Sequence, residues 1–89
     1  MAERFRAGDP VRARRLDPAH HTRLPRYARG ASGVVLEVEG AHPLPDDRSQ
    51  GRPAAPEPVY SVRFDAAELF GAGEHAVVLA LWETYLEAP

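Results

Sequence analysis

Three arginines, Arg23, Arg26 and Arg29, recur at every third position within the segment Asp17 to Gly33. A guanidinium is permanently charged and presents a planar fork of N–H donors. That fork suits a carboxylate, a phosphate or an oxidised sulfur group carrying two oxygens. Salt bridging to the acidic half of the chain is the alternative use of the same three side chains. Other chemistry-bearing residues are sparse. The absence of cysteine excludes a disulfide framework, a thiolate zinc site and a cysteine nucleophile. His20 and His21 are adjacent, and on extended backbone neighbouring side chains point to opposite sides, so the pair is poorly placed to grip one metal. His42 and His75 fall in separate loops, and no metal site is expected from this chain. Asp46-Asp47 sits in a proline-rich stretch and reads as a solvated charge pair rather than a general acid. Ser32, Ser49 and Ser61 lack a nucleophile-elbow context, and there is no Gly-rich phosphate loop.

The charge is divided along the chain. Residues 1–30 hold eight arginines against Glu3, Asp9 and Asp17, a net of +5, whereas residues 31–89 hold three arginines against ten acids, a net of −7. Such asymmetry suggests a basic face that meets something anionic, or a partner subunit of opposite charge. With 89 residues, the chain is expected to form one domain over 1–89 with a net stability of a few kcal/mol. A partner that binds only the folded form would add to that stability by mass action. The longest apolar run, Ala76 to Trp82, is seven residues, against the roughly 20 needed to cross a bilayer. The N-terminus lacks the apolar stretch of a secretion signal, so a cytoplasmic protein with no membrane partner is expected.

The elements that must position these residues are short. Gly8-Asp9 supplies a turn and Pro10 opens a strand in which Val11, Ala13 and Leu16 face inward and Arg12 and Arg14 outward. Asp17 to Gly33 is broken by Pro18, Pro25, Gly30 and Gly33 and reads as a long loop whose Leu24 and Tyr27 need burial; long loops of this kind are usually functional. Gly33 to Gly40 reads as a strand that alternates from Leu36 to Glu39. Residues 41–58, with Pro43, Pro45, Pro53, Pro56 and Pro58, read as an extended loop, either wrapped over a neighbouring surface or mobile. Val59–Phe64 alternates as a third strand, with Tyr60, Val62 and Phe64 on one face. A helical turn capped by Asp65 follows, then a fourth strand over Ala76–Trp82, after which Tyr85 and Leu86 pack back. Short strands, long loops and no long helix predict an all-β domain, a small antiparallel barrel with long loops.

His21-Thr22-Arg23-Leu24-Pro25-Arg26-Tyr27-Ala28-Arg29-Gly30, followed by Gly33-Val34-Val35, resembles the C-terminal domain of the nitrile hydratase β subunit. Gly8-Asp9 with Val11-Arg12, Tyr60 to Ala66 with Glu68-Leu69-Phe70-Gly71, and Leu81-Trp82-Glu83 with Tyr85-Leu86 agree with it. Gly40-Ala41, Pro45-Asp46 and Gly51 match the family's long loop, so the resemblance runs in order along nearly the whole chain.

The resemblance implies an SH3-like barrel within an enzyme that hydrates nitriles to amides. In that family the α subunit holds cobalt or iron in a C-x-x-C-S-C claw with two oxidised cysteines. An arginine of the barrel, two residues after the histidine of an H-[TA]-R motif, hydrogen-bonds those cysteines; here it is Arg23. His21, Arg26, Tyr27 and Arg29 would then hold the loop or contact the α subunit. Buried sulfenate and sulfinate oxygens are costly to leave unpaired, and a guanidinium fork satisfies and orients them. The family's β chain also carries a helical N-terminal region, which this sequence lacks. The expected partners are therefore the metal-bearing α subunit and a helical β-N-terminal-like subunit. The chain would be the small separate subunit of a three-chain enzyme of the toyocamycin nitrile hydratase or thiocyanate hydrolase type, binding no cofactor itself and silent alone. The rival from another class is a stand-alone barrel that uses the +5 segment to bind nucleic acid or a peptide. Against nucleic acid stand the overall negative charge and the scarcity of aromatic residues in that segment.

Overall fold

A computed structural model describes residues 3–16, 22–53 and 55–89. Its strands are β1 (Pro10–Ala13), β2 (Ser32–Pro43), β3 (Pro56–Asp65), β4 (Ala76–Trp82) and β5 (Leu86–Glu87). They pair antiparallel in the order β4-β3-β2-β1-β5. Two five-residue helices, α1 (Pro45–Ser49) and α2 (Ala66–Phe70), and two 3-10 turns, Arg26–Ala28 and Glu83–Tyr85, lie in the connections. The class is all-β, as the strand periodicity predicts. β4 and β5 are opposite edges of the sheet, yet only the three-residue turn Glu83–Tyr85 separates them. At a rise of about 2 Å per residue that turn is short, so the sheet must curl until its edges approach at this corner. No pairing between β4 and β5 closes the curl among the described residues.

The inner face is built from alternate strand positions. Val11 and Ala13 of β1, Tyr60, Val62 and Phe64 of β3, and Leu81 of β4 are buried together, with Tyr85 and Leu86 packed beneath them. A side chain the size of Phe64 contributes roughly 1.5–3 kcal/mol when fully buried. Gly33 is demanded by close approach: a Cβ there would lie 2.8 Å from the Arg63 carbonyl oxygen and 2.9 Å from the Phe64 ring.

β2 departs from simple alternation. Val35 pairs with Val62 but Glu37 with Ser61, so an extra residue is accommodated and Leu36 turns outward, 44% exposed, where alternation predicts it inside. A second irregularity between Val38 and Ala41 contains Gly40, whose φ of 98° is open to glycine at no steric cost. Such bulges bend a strand and increase its twist, which is what a small curled sheet requires. The proline-rich segment is also more ordered than its composition suggests. β2 and β3 pair as far as Pro43 and Pro56, and α1 spans part of the remainder. β4 pairs with β3 only from Val59 onward, so Pro56 and Pro58 fall where β3 is unpaired on that side and a missing N–H costs little. Asp65 does occupy the N-cap of α2, but its side chain makes no capping bond; its carboxylate lies 3.1 Å from the Arg63 guanidinium instead.

Candidate arginine site

The arginine loop is built onto the sheet by its backbone. The Gly30 N–H donates to the Ala13 carbonyl at 2.7 Å, and the Ala13 N–H donates to the Ala31 carbonyl at 2.9 Å. Pro25, with φ fixed near −62°, opens the 3-10 turn Arg26–Ala28, and Leu24 and Ala28 are buried as its anchors. Tyr27, for which the sequence asks burial, remains 45% exposed and packs its ring on Phe70 of α2, with centroids 5.5 Å apart.

The every-third spacing does not bring the three guanidinium groups together. Arg26 and Arg29 line a pocket of about 290 Å³ with Arg15 and Leu16. Arg29 also donates from Nη2 to the Leu24 carbonyl at 3.1 Å, tying the loop to itself. Arg23 lies on the far side of Pro25, in a separate groove of about 520 Å³ lined by Glu39, His42, Pro43, Val59, Ala80 and Trp82. Its guanidinium carbon stands 5.6 Å from the Trp82 ring centroid, within cation–π range. The Trp82 Nε1–H donates to the His42 carbonyl at 3.1 Å, which fixes the ring under the arginine. Among the described residues, no carboxylate or carbonyl engages the Arg23 guanidinium, so it is not consumed by the acidic half of the chain; Arg12, by contrast, pairs with Glu87 at 2.6 Å. His21 lies outside the described residues.

Behind Arg23 sits a group that sequence reasoning misplaces. Asp46 is not solvated: it is 8% exposed, and its Oδ1 accepts the Tyr85 hydroxyl at 2.5 Å and the Thr22 hydroxyl at 3.1 Å. The Tyr85 oxygen in turn accepts the Arg23 backbone N–H at 3.3 Å, and the Thr22 Oγ1 accepts the Leu24 N–H at 3.3 Å. The interacting positions are 24 to 62 residues apart for every bond but the last, so no local pattern announces them. Asp47 does behave as a surface charge, 3.0 Å from the Arg52 guanidinium. Burial, then the hydrogen bond to the Asp46 carboxylate, push the Tyr85 phenol up to about 12. A second phenol repeats the device: Tyr60 donates to Glu83 at 2.6 Å, accepts the Phe5 N–H at 3.3 Å, and is likewise raised to about 12 by burial and then the Glu83 bond. Tyr60 thus fastens the N-terminal arm as Tyr85 fastens the arginine loop.

The geometry defines a small all-β domain with an exposed arginine, Arg23, over the ring of Trp82. Among the described residues no cluster of His, Cys, Asp and Glu could hold a metal ion, and no helix is long and apolar enough to cross a membrane. The chain belongs to the family formed by the C-terminal region of the nitrile hydratase beta subunit, whose model matches residues 1–88. It is 39% identical over 87 residues to the cobalt-containing nitrile hydratase subunit beta of Pseudonocardia thermophila, covering 94% of this chain and 37% of that one. It is 34% identical over 87 residues to the nitrile hydratase subunit beta of Pseudomonas putida, covering 93% of this chain and 40% of that one. The chain therefore spans about two-fifths of the length of these curated relatives. The structure of recombinant apo thiocyanate hydrolase from Thiobacillus thioparus superposes with a TM-score of 0.91 at 27% identity, covering 99% of this chain and 78% of that one.

Proposed function

We propose that this chain serves a heteromeric, nitrile-hydrating lyase by presenting Arg23 to the oxidised cysteines that hold cobalt or iron in a partner α subunit. The supporting observation is the exposed Arg23 guanidinium over Trp82, without an acidic partner among the described residues, on a fold matched from end to end by the family. In this reading the metal is held by the partner; among the described residues no group of His, Cys, Asp and Glu is placed to hold one. The chain's contribution is a fixed planar fork of donors that pairs with anionic oxygens and sets their orientation and charge, without exchanging protons with the reactants.

The α-facing contact is assigned to Arg26 and the exposed Tyr27, and the motif adds His21 to it; Arg29 holds the loop's shape. The partners are the α subunit and a helical part equivalent to the N-terminal portion of the β relatives, assembled in the cytoplasm. Co-expression with neighbouring reading frames that encode a C-x-x-C-S-C segment, followed by size exclusion, tests this directly: the chain co-elutes with the metal-bearing subunit. If it elutes alone from every such pairing, the reading fails. A thiocyanate hydrolase-like assembly is the second reading, favoured by the superposition over 99% of the chain. Supplying the assembled complex with a nitrile and with thiocyanate in parallel separates the two. A nucleoside nitrile of the toyocamycin kind belongs among the nitriles tried.

A further inference from the structure

The Arg23 side chain is steered from two sides. Trp82 carries the guanidinium, and a hydrogen-bonded hub carries the backbone from which it springs. We propose that Asp46 is a positioning residue for Arg23, acting through Tyr85 and Thr22. This inference rests on reading Arg23 as the functional cation, although the placement can be measured without that reading.

Asp46 does not bond the Arg23 guanidinium; it reaches the backbone of residues 23 and 24 through two hydroxyls. One carboxylate oxygen receives the Tyr85 and Thr22 hydroxyls, and those two oxygens receive the Arg23 and Leu24 N–H groups. A carboxylate suits this hub because it only accepts and has about four lone-pair sites. Both hydroxyls must therefore donate inward, which leaves their own lone pairs facing the loop. The direction of these four hydrogen bonds is fixed by that single charge. Asp46 is delivered by α1, in a connection whose buried apolar anchor is Leu44. The order of the proline-rich segment thus has a use: it places one carboxylate behind the arginine loop. Rigidity matters because a fork aimed at two oxygens loses its advantage over a point charge when its backbone can swing.

The test uses the 89-residue chain and reads the arginine itself. In nuclear magnetic resonance spectra, the Trp82 ring current should displace the Arg23 side-chain protons, whose guanidinium carbon lies 5.6 Å from the ring centroid. Asp46→Leu leaves the buried Tyr85 hydroxyl and the half-buried Thr22 hydroxyl without their acceptor; it is expected to remove at least half of that displacement and to speed exchange of the Arg23 amide at least tenfold. The Val62 amide, remote in β3, should be unaffected. Asp46→Asn keeps one acceptor oxygen and should restore most of the displacement, a rescue that a general loss of stability would not give. Should Asp46→Leu fail to fold, Tyr85→Phe removes a single oxygen and reads the same two signals. Unchanged Arg23 displacement and exchange in the folded variant overturn the inference. Full activity of an Arg23→Ala assembly would instead sink the functional reading and leave the placement result standing.

Discussion

Raising the pH should undo this domain through two phenols. The sequence makes the experiment clean: every basic residue is arginine, and there is neither lysine nor cysteine. Between about pH 9.5 and 12, guanidinium groups keep their charge and tyrosines are the only side chains that titrate. Tyr60 and Tyr85 are fully buried, and each is raised from 10.0 to about 12, first by burial and then by the carboxylate that receives its hydroxyl. In the unfolded chain both ionise near 10, so above that pH the folded form holds more protons than the unfolded one. Stability therefore falls with rising pH, beginning near 10 and levelling once the folded phenols ionise near 12. Two units correspond to roughly 2–3 kcal/mol for each phenol, against a total of about 4–13 kcal/mol for a domain this size. The melting temperature should drop by about 10–20 °C or more across that window. Urea unfolding at stepped pH, followed by the fluorescence of Trp82, the single tryptophan, measures it. The double variant Tyr60→Phe and Tyr85→Phe should be less stable at pH 8 by a few kcal/mol, because Glu83, Asp46 and two amides lose partners. Its stability should, however, be nearly flat from pH 10 to 12. A flat wild-type limb, or an equal fall in the double variant, would refute the reasoning.

Gly33→Ala should cost about 1–3 kcal/mol in urea unfolding, since its Cβ meets backbone at Arg63 that cannot move without disturbing β3. The purified chain, dialysed against cobalt and then measured by atomic absorption, should retain no stoichiometric metal and show no hydration activity. The Arg12 guanidinium, hydrogen-bonded to Glu87, holds that carboxyl below its ordinary value, so its contribution is present at neutral pH and lost as acid takes the pH through the lowered value. Both groups are substantially exposed, so Glu87→Gln should shift acid stability only slightly, and high salt should erase the difference.

How much of this could be read from the sequence depended on how local the cause was. β4 was legible to its ends, Ala76 and Trp82, because an unbroken apolar run between a glycine-rich turn and Glu83 has one reading. The face formed by Tyr60, Val62 and Phe64 followed from simple alternation. The outward turn of Leu36 was not legible because a bulge inserts one residue into the period, and nothing in Val34-Val35-Leu36 marks which residue is extra. The ordering of the proline-rich segment was missed because it comes from pairing across sequence, with β2 and β3 running on to Pro43 and Pro56. Arg23 was singled out through the motif around it, but its separation from Arg26 and Arg29 was not legible, since regular spacing in a loop interrupted by Pro25 says nothing about direction. Asp46 looked like a surface acid for the same reason: Thr22 and Tyr85, whose hydroxyls it accepts, are distant in the chain.

One substitution isolates the fork of donors at Arg23. Arg23→Lys keeps the charge and removes the planar pair of N–H bonds. In the complex assembled with the partner that carries the C-x-x-C-S-C claw, it should leave co-elution unchanged and lower kcat for nitrile hydration at least tenfold, about 1.4 kcal/mol at the transition state. An intact complex that hydrates nitriles at the wild-type rate with lysine at this position would contradict the proposed function.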